Sequence, residues 1–230
     1  MAGLIRKEFF HFRGNEVLHI YLPPWHCNFR EYSFIKRELK KYSSYLIYIF
    51  NPQILSEDSG KTLKSFNIIK NKILKDIKSL YKKYRFKRII ITGMSLGCVN
   101  ALMIANNYSK IKEIYLFDPG NCLAESMWGG WKTQNLRRAY EKQGISLKKL
   151  KSLWRSLAPE NNIQNLKGKK VHVFLAKKDG VISYSTGRKL IEKMRKLRIR
   201  FALKIDKHHG HYYTIIKELI FPKDIIPQLY

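Results

Sequence analysis

The pattern that most restricts this chain is an alternation of short, continuous apolar runs with longer segments whose apolar residues recur every three or four positions. Residues 45–50, 88–92, 111–117, 170–176 and 198–205 are strand-sized runs rich in Ile, Val, Leu, Phe and Tyr. Between the first two, residues 65–84 place Phe66, Ile69, Ile73, Ile77 and Leu80 on one face, the spacing of an amphipathic helix. Residues 30–42, 96–107 and 185–196 also read as helices, and 212–219 predicts a closing one. Uninterrupted apolar strands are buried on both faces, and helices between them make neighbouring strands parallel. Near the start, residues 9–12 and 17–22 flank Arg13-Gly14-Asn15, which predicts an opening β-hairpin. The expected fold class is therefore α/β, with a mostly parallel sheet of about seven strands flanked by helices.

Residues 121–164 break the rhythm. They carry helical patterns and Trp128, Trp131 and Trp154 but no strand-like run, so they predict a small helical cap inserted between two strands. A chain of 230 residues fits one domain, 1–230, with this insertion inside it. The cap tryptophans, with Met127, either line an apolar substrate pocket or pack the cap's own core.

The chemistry sits at Gly93-Met94-Ser95-Leu96-Gly97. This GxSxG pentapeptide is weak alone, but an apolar strand runs into it and a helix-forming segment runs out. That setting suits a turn so tight that only small residues fit two positions either side of the serine. A serine there stands at a helix start, where free backbone N–H groups and the helix dipole favour negative charge. Later in the chain, Asp179 follows the run 170–176, and Asp206-Lys207-His208-His209-Gly210-His211 follows the run 198–205.

These features resemble the α/β-hydrolase family, whose catalytic groups follow in the order serine, acid, histidine. The resemblance implies Ser95 as nucleophile, Asp179 as acid and His211 as base. Lys177-Lys178-Asp179-Gly180-Val181-Ile182 is similar to the family's acid loop, with Ser183 where a proline is usual, and Gly210-His211 is similar to its Gly-His pair. Asp118, after the run 111–117, is the rival acid, and His208 and His209 are the rival bases. The resemblance also implies an oxyanion hole from the backbone N–H of Leu96 and one from the loop Leu22-Pro23-Pro24-Trp25-His26. Prolines there replace the usual His-Gly, which makes Trp25 the expected second donor and His26 the next candidate. The implied reaction is hydrolysis of carboxylic esters or thioesters of a small, fairly apolar acyl substrate through an acyl-enzyme. Acyl transfer and amide cleavage use the same constellation.

No metal or other cofactor is expected, because adjacent His208 and His209 cannot readily share one ion. Gly60-Lys61-Thr62 lacks the earlier glycine of a phosphate-binding loop, with Leu55 in its place. The odd count of three cysteines without CxxC spacing, and the want of a leader-like apolar stretch, predict a reducing, cytoplasmic setting. The formal net charge is +28. It predicts a weak, non-specific attraction to polyanions, and it keeps open a basic binding protein for nucleic acid or anionic membrane on a hydrolase scaffold. Abundant Lys, Asn, Ile and Tyr also fit simple compositional drift, with lysines scattered along helices.

Overall fold

The computed structural model describes residues 4–11, 16–27, 33, 36–37 and 44–211. The helices expected over 30–42 and 212–219 lie outside these residues or largely so.

The sheet has seven strands: β1 (Leu4–His11), β2 (Val17–Leu22), β3 (Ser44–Phe50), β4 (Arg88–Met94), β5 (Ile111–Phe117), β6 (Lys170–Ala176) and β7 (Ala202–Asp206). Their spatial order is β1-β3-β2-β4-β5-β6-β7. All neighbours are parallel except β1, which runs antiparallel to β3. The expected opening hairpin does not form. β2 is buried from Leu18 to Leu22 and is flanked on both sides by parallel strands. β1 mixes Lys7, Glu8 and His11 with its aromatic residues and takes the sheet edge, where exposed polar side chains are tolerated and discourage further pairing.

Alternate strand residues serve opposite faces. Leu18, Ile20, Leu46, Ile89, Ile91, Ile114, Leu116 and Val173 belong to the larger core, together with helix residues. Tyr21, Tyr45, Ile90, Met94, Tyr115, Phe117 and Phe174 form a second cluster. Helices α1 (Ser59–Tyr84), α2 (Gly97–Asn107) and α6 (Tyr184–Lys196) join the larger core, as do Leu123, Met127, Tyr140 and Leu150 from the segment between β5 and β6. In α1, Phe66, Ile69, Ile73 and Ile77 are buried, as their spacing predicts. Its first turn is capped by Asp58, whose carboxylate accepts the N–H groups of Gly60 and Lys61 at 2.8 and 3.0 Å. The Gly60-Lys61-Thr62 segment is thus an ordinary helix start.

Between β5 and β6 lie α3 (Leu123–Gly129), α4 (Gln134–Lys142), α5 (Leu147–Leu153) and several single 3-10 turns, with no strand among the described residues. The last strand is shorter than the apolar run predicts. Arg198 adopts a left-handed φ of 55° and the Ile199 N–H donates to Met194 O at 3.0 Å, so the start of that run is spent ending α6.

Candidate active site

Ser95 occupies the turn between β4 and α2 with φ of 50°. Side-chain-bearing residues rarely take this conformation, and where they do the surrounding structure enforces it. The Ser95 N–H donates to Phe117 O at 2.8 Å, and Ser95 O accepts from Cys98 N at 2.9 Å. Both flanking glycines are required by close approach. A Cβ on Gly93 would lie 2.8 Å from the Cys98 Cα, and one on Gly97 would lie 2.2 Å from Leu22 O. The turn is therefore pressed against the end of β2, which continues into the loop carrying Trp25.

Asp179 lies in the loop after β6. Its Oδ1 accepts the N–H groups of Val181 and Ile182 at 2.7 and 2.8 Å, which fixes the carboxylate and leaves Oδ2 for His211. The His211 Nδ1 lies 2.6 Å from Asp179 Oδ2, and the imidazole is 3% exposed. The loop that delivers His211 is held by Asp206, whose carboxylate accepts the N–H groups of His208 and His209 at 2.8 and 3.0 Å. Burial acts to raise the Asp206 carboxyl, yet these bonds and the His209 ring hold it below the usual carboxylate range. Of the rival bases, His209 turns its Nδ1 to Asp206 at 2.9 Å and His208 is exposed.

Asp118, the rival acid, is in the same cluster. It follows β5 with φ of 49° and is 2% exposed. Its Oδ1 accepts the Ala176 N–H at 2.6 Å, and its Oδ2 lies 3.6 Å from His211 Nδ1. Burial pushes its carboxyl up to about 7; His211 opposes that shift and Asp179 adds to it. The sequence presents the two aspartates as competitors, whereas the parallel strand order brings both to one imidazole. Asp118, Asp179 and His211 are also a geometrically compact trio of potential metal ligands. The hydrogen-bonded 2.6 Å contact between His211 and Asp179 needs no ion to explain it.

Above the turn is an apolar pocket lined by Ser95 and His211 together with Leu55, Val99, Leu123, Met127, Pro159 and Ile182. Leu96 and Trp25, the expected oxyanion donors, also border it. Leu96 opens the first turn of α2, where backbone N–H groups lack intrahelical partners. The Trp25 indole donates to Pro52 O at 2.8 Å and packs on His26, whose backbone is left-handed at φ of 58°.

Against solved structures, the chain superimposes on an acetyl xylan esterase from Paenibacillus sp. R4 with a TM-score of 0.73 at 13% identity, covering 95% of this chain and 78% of that one. A carboxylesterase from Lactobacillus plantarum gives 0.62 at 12% identity, covering 97% and 90%. A Pyrococcus horikoshii acylaminoacyl peptidase gives 0.67 at 15% identity, covering 96% of this chain but 38% of that one. The chain has the α/β-hydrolase fold. The family model for lipase (class 3) matches residues 9–118, just under half of the chain. That match includes the Ser95 turn and stops before Asp179 and His211. No curated protein sequence matches the chain.

The three cap tryptophans, which the sequence offers as either pocket lining or cap core, do not line this pocket. Trp154 is 1% exposed, donates to Ser59 O at 2.9 Å and meets Tyr140 edge-on, so it ties the cap to α1. Trp131 is 59% exposed. Trp128 is partly buried under the Arg137 guanidinium, 5.4 Å from its ring. A tryptophan pays for burial only where its N–H finds an acceptor, and Trp154 finds one away from the serine. Met127, named beside them in sequence, does line the pocket, as do Leu55, Val181 and Ile182, which carried no signal of their own. Cys98 borders the pocket too, but burial pushes its thiol well up and its Sγ bonds to Gly93 O at 3.1 Å, an inert arrangement.

Proposed function

We propose that this α/β-hydrolase cleaves carboxylic esters or thioesters of a small, fairly apolar acyl substrate through an acyl-enzyme on Ser95. The observation that carries the reading is the 2.6 Å contact between His211 Nδ1 and Asp179 Oδ2 at the edge of an apolar pocket that Ser95 also lines. With Nδ1–H donating to Asp179, the neutral imidazole has its lone pair at Nε2, the tautomer a general base needs.

In this reading His211 Nε2 takes the Ser95 hydroxyl proton as Oγ attacks the substrate carbonyl carbon. Asp179 stabilises the imidazolium that forms. The N–H groups of Leu96 and Trp25 receive the oxyanion, where charge appears only during reaction. The imidazolium then gives its proton to the departing alcohol or thiol. Water, deprotonated by His211, attacks the acyl carbon and releases the carboxylic acid, restoring Ser95.

The apolar lining supports an apolar acyl portion. Esterase and lipase names among the similar proteins support an ester bond as the target. The test is labelling by a fluorophosphonate probe alongside hydrolysis of p-nitrophenyl esters. The parent should label and turn over, and Ser95→Ala should do neither. Labelling that survives in Ser95→Ala would sink the assignment of the nucleophile.

A further inference from the structure

We propose that Asp118 is a second positioning carboxylate for His211, placed to hold the imidazole Nδ1–H when Asp179 does not. This rests on His211 being the base of the proposed hydrolase.

Asp118 and Asp179 are built alike. Each commits one oxygen to loop or strand backbone: Asp118 Oδ1 to Ala176 N–H, and Asp179 Oδ1 to the N–H groups of Val181 and Ile182. Each turns its other oxygen to the same nitrogen, at 3.6 Å for Asp118 and 2.6 Å for Asp179. Asp118 Oδ2 is sealed from solvent and makes no hydrogen bond among the described residues. A buried acceptor left so costs stability unless another role retains it. The cost is compounded by the left-handed backbone at Asp118, φ of 49°. A purely structural tie to Ala176 would need neither a carboxylate nor an orphaned oxygen aimed at an imidazole.

The surroundings decide how Asp118 acts. The groups that face it are His211, Asp179 and, further off, Asp206, with the Cys98 thiol on the α2 side. Two carboxylates beside one imidazole in a dry site do not ionise independently. With Asp118 protonated, Asp179 alone holds Nδ1–H. With Asp118 ionised, a second negative charge stands 3.6 Å from the ring. If the Asp179 carboxylate is lost, a small rotation gives Nδ1–H a second anionic acceptor already in place.

The test is a set of pH profiles of kcat and KM for p-nitrophenyl butanoate in the parent, Asp118→Asn, Asp179→Asn and the double variant. Asparagine keeps an oxygen for the backbone N–H bonds, and thermal melts check folding. Loss of an unreplaced acid costs about ten-thousandfold in kcat. Here Asp179→Asn should keep roughly a hundredfold more activity than the double variant, with the difference in kcat rather than KM. An Asp179→Asn enzyme no more active than the double variant overturns the proposal. The low-field Nδ1–H proton resonance of His211 gives a readout independent of turnover: it should persist in Asp179→Asn, and its loss there overturns the proposal. A parent that neither labels with fluorophosphonate nor hydrolyses esters refutes the hydrolase reading instead, so the two failures are distinct.

Discussion

Ser95 and Asp118 leave neighbouring parallel strands in the same left-handed backbone conformation, at φ of 50° and 49°, and the Ser95 N–H is tied to the carbonyl of Phe117, the residue before Asp118. The two turns are thus one strained ledge at the ends of β4 and β5. Strain of this kind costs of order 1 kcal/mol or more per residue and is kept where a side chain must be presented in a fixed direction.

Glycine takes this conformation without steric cost. Ser95→Gly is therefore expected to abolish ester hydrolysis while raising stability. Relief of about 1 kcal/mol corresponds to a rise in Tm of about 2–4 °C for a domain of this size. Paired calorimetry and esterase assays check it. A Tm at or below that of the parent would show that the ledge is not strained at this point.

Gly97→Ala should do the opposite to the scaffold. Its new Cβ would stand 2.2 Å from Leu22 O and 2.7 Å from Pro23 O, which are backbone atoms at the root of the Trp25 loop. Overpacking of this sort costs about 1–3 kcal/mol. Because the displaced loop borders the pocket, kcat should fall at least about tenfold, as expected when reacting groups shift by a fraction of an ångström to an ångström. A variant with parental kcat and Tm would contradict the close approach.

How much of this could be read from residues alone depended on whether local pattern or long-range pairing decided the outcome. The strand–turn–helix around Ser95 is local: an apolar run, two glycines at fixed offsets and a helical segment declare it. The core face of α1 is local in the same way. The partner of β1 is not. Turn residues at 13–15 favour a hairpin, but β2 is buried from Leu18 to Leu22 and is taken by β3 and β4 on its two sides, which leaves β1 at the edge. The meeting of Asp118 with Asp179 at one imidazole is likewise a product of strand order, since residues 61 and 93 positions apart cannot signal it by spacing (179 and 211 counted from 118). Tryptophans in the cap read as either pocket lining or cap core, because large aromatic residues suit both. Which use wins turns on where an indole N–H finds its acceptor, and for Trp154 that is Ser59 O on another element.

The pocket wall is expected to be set by Met127, not by the cap tryptophans. Met127 is 2% exposed and borders the cavity, whereas Trp131 is 59% exposed and does not. Met127→Ala should lengthen the preferred acyl chain in a series of p-nitrophenyl esters, by one or more methylenes each contributing about 0.8 kcal/mol when buried. Trp131→Ala should leave that preference unchanged. A shift in preference with Trp131→Ala and none with Met127→Ala would reverse the assignment of the wall. Trp154→Phe, which forfeits the bond to Ser59 O, should lower Tm without altering chain-length preference, since a hydrogen bond of this kind contributes about 0.5–1.5 kcal/mol.

Asp118 should also make stability depend on pH, in a direction fixed by its shift. Its carboxyl titrates at about 7 in the folded protein, against an ordinary value of 3.8, chiefly because burial penalises the charge. Between those values the folded chain holds a proton that the unfolded chain has released. Its contribution to stability is therefore full below the unfolded value, declines as pH rises, and is lost once pH passes the folded value. Asp118→Asn, which cannot ionise but can still accept the Ala176 N–H, removes this loss. The Tm of the variant relative to the parent should accordingly grow as pH rises from about 5 to about 8. A Tm difference that stays flat over that range, or shrinks, would mean that the buried carboxyl is ionised throughout, and His211 would then face two fixed anions instead of one.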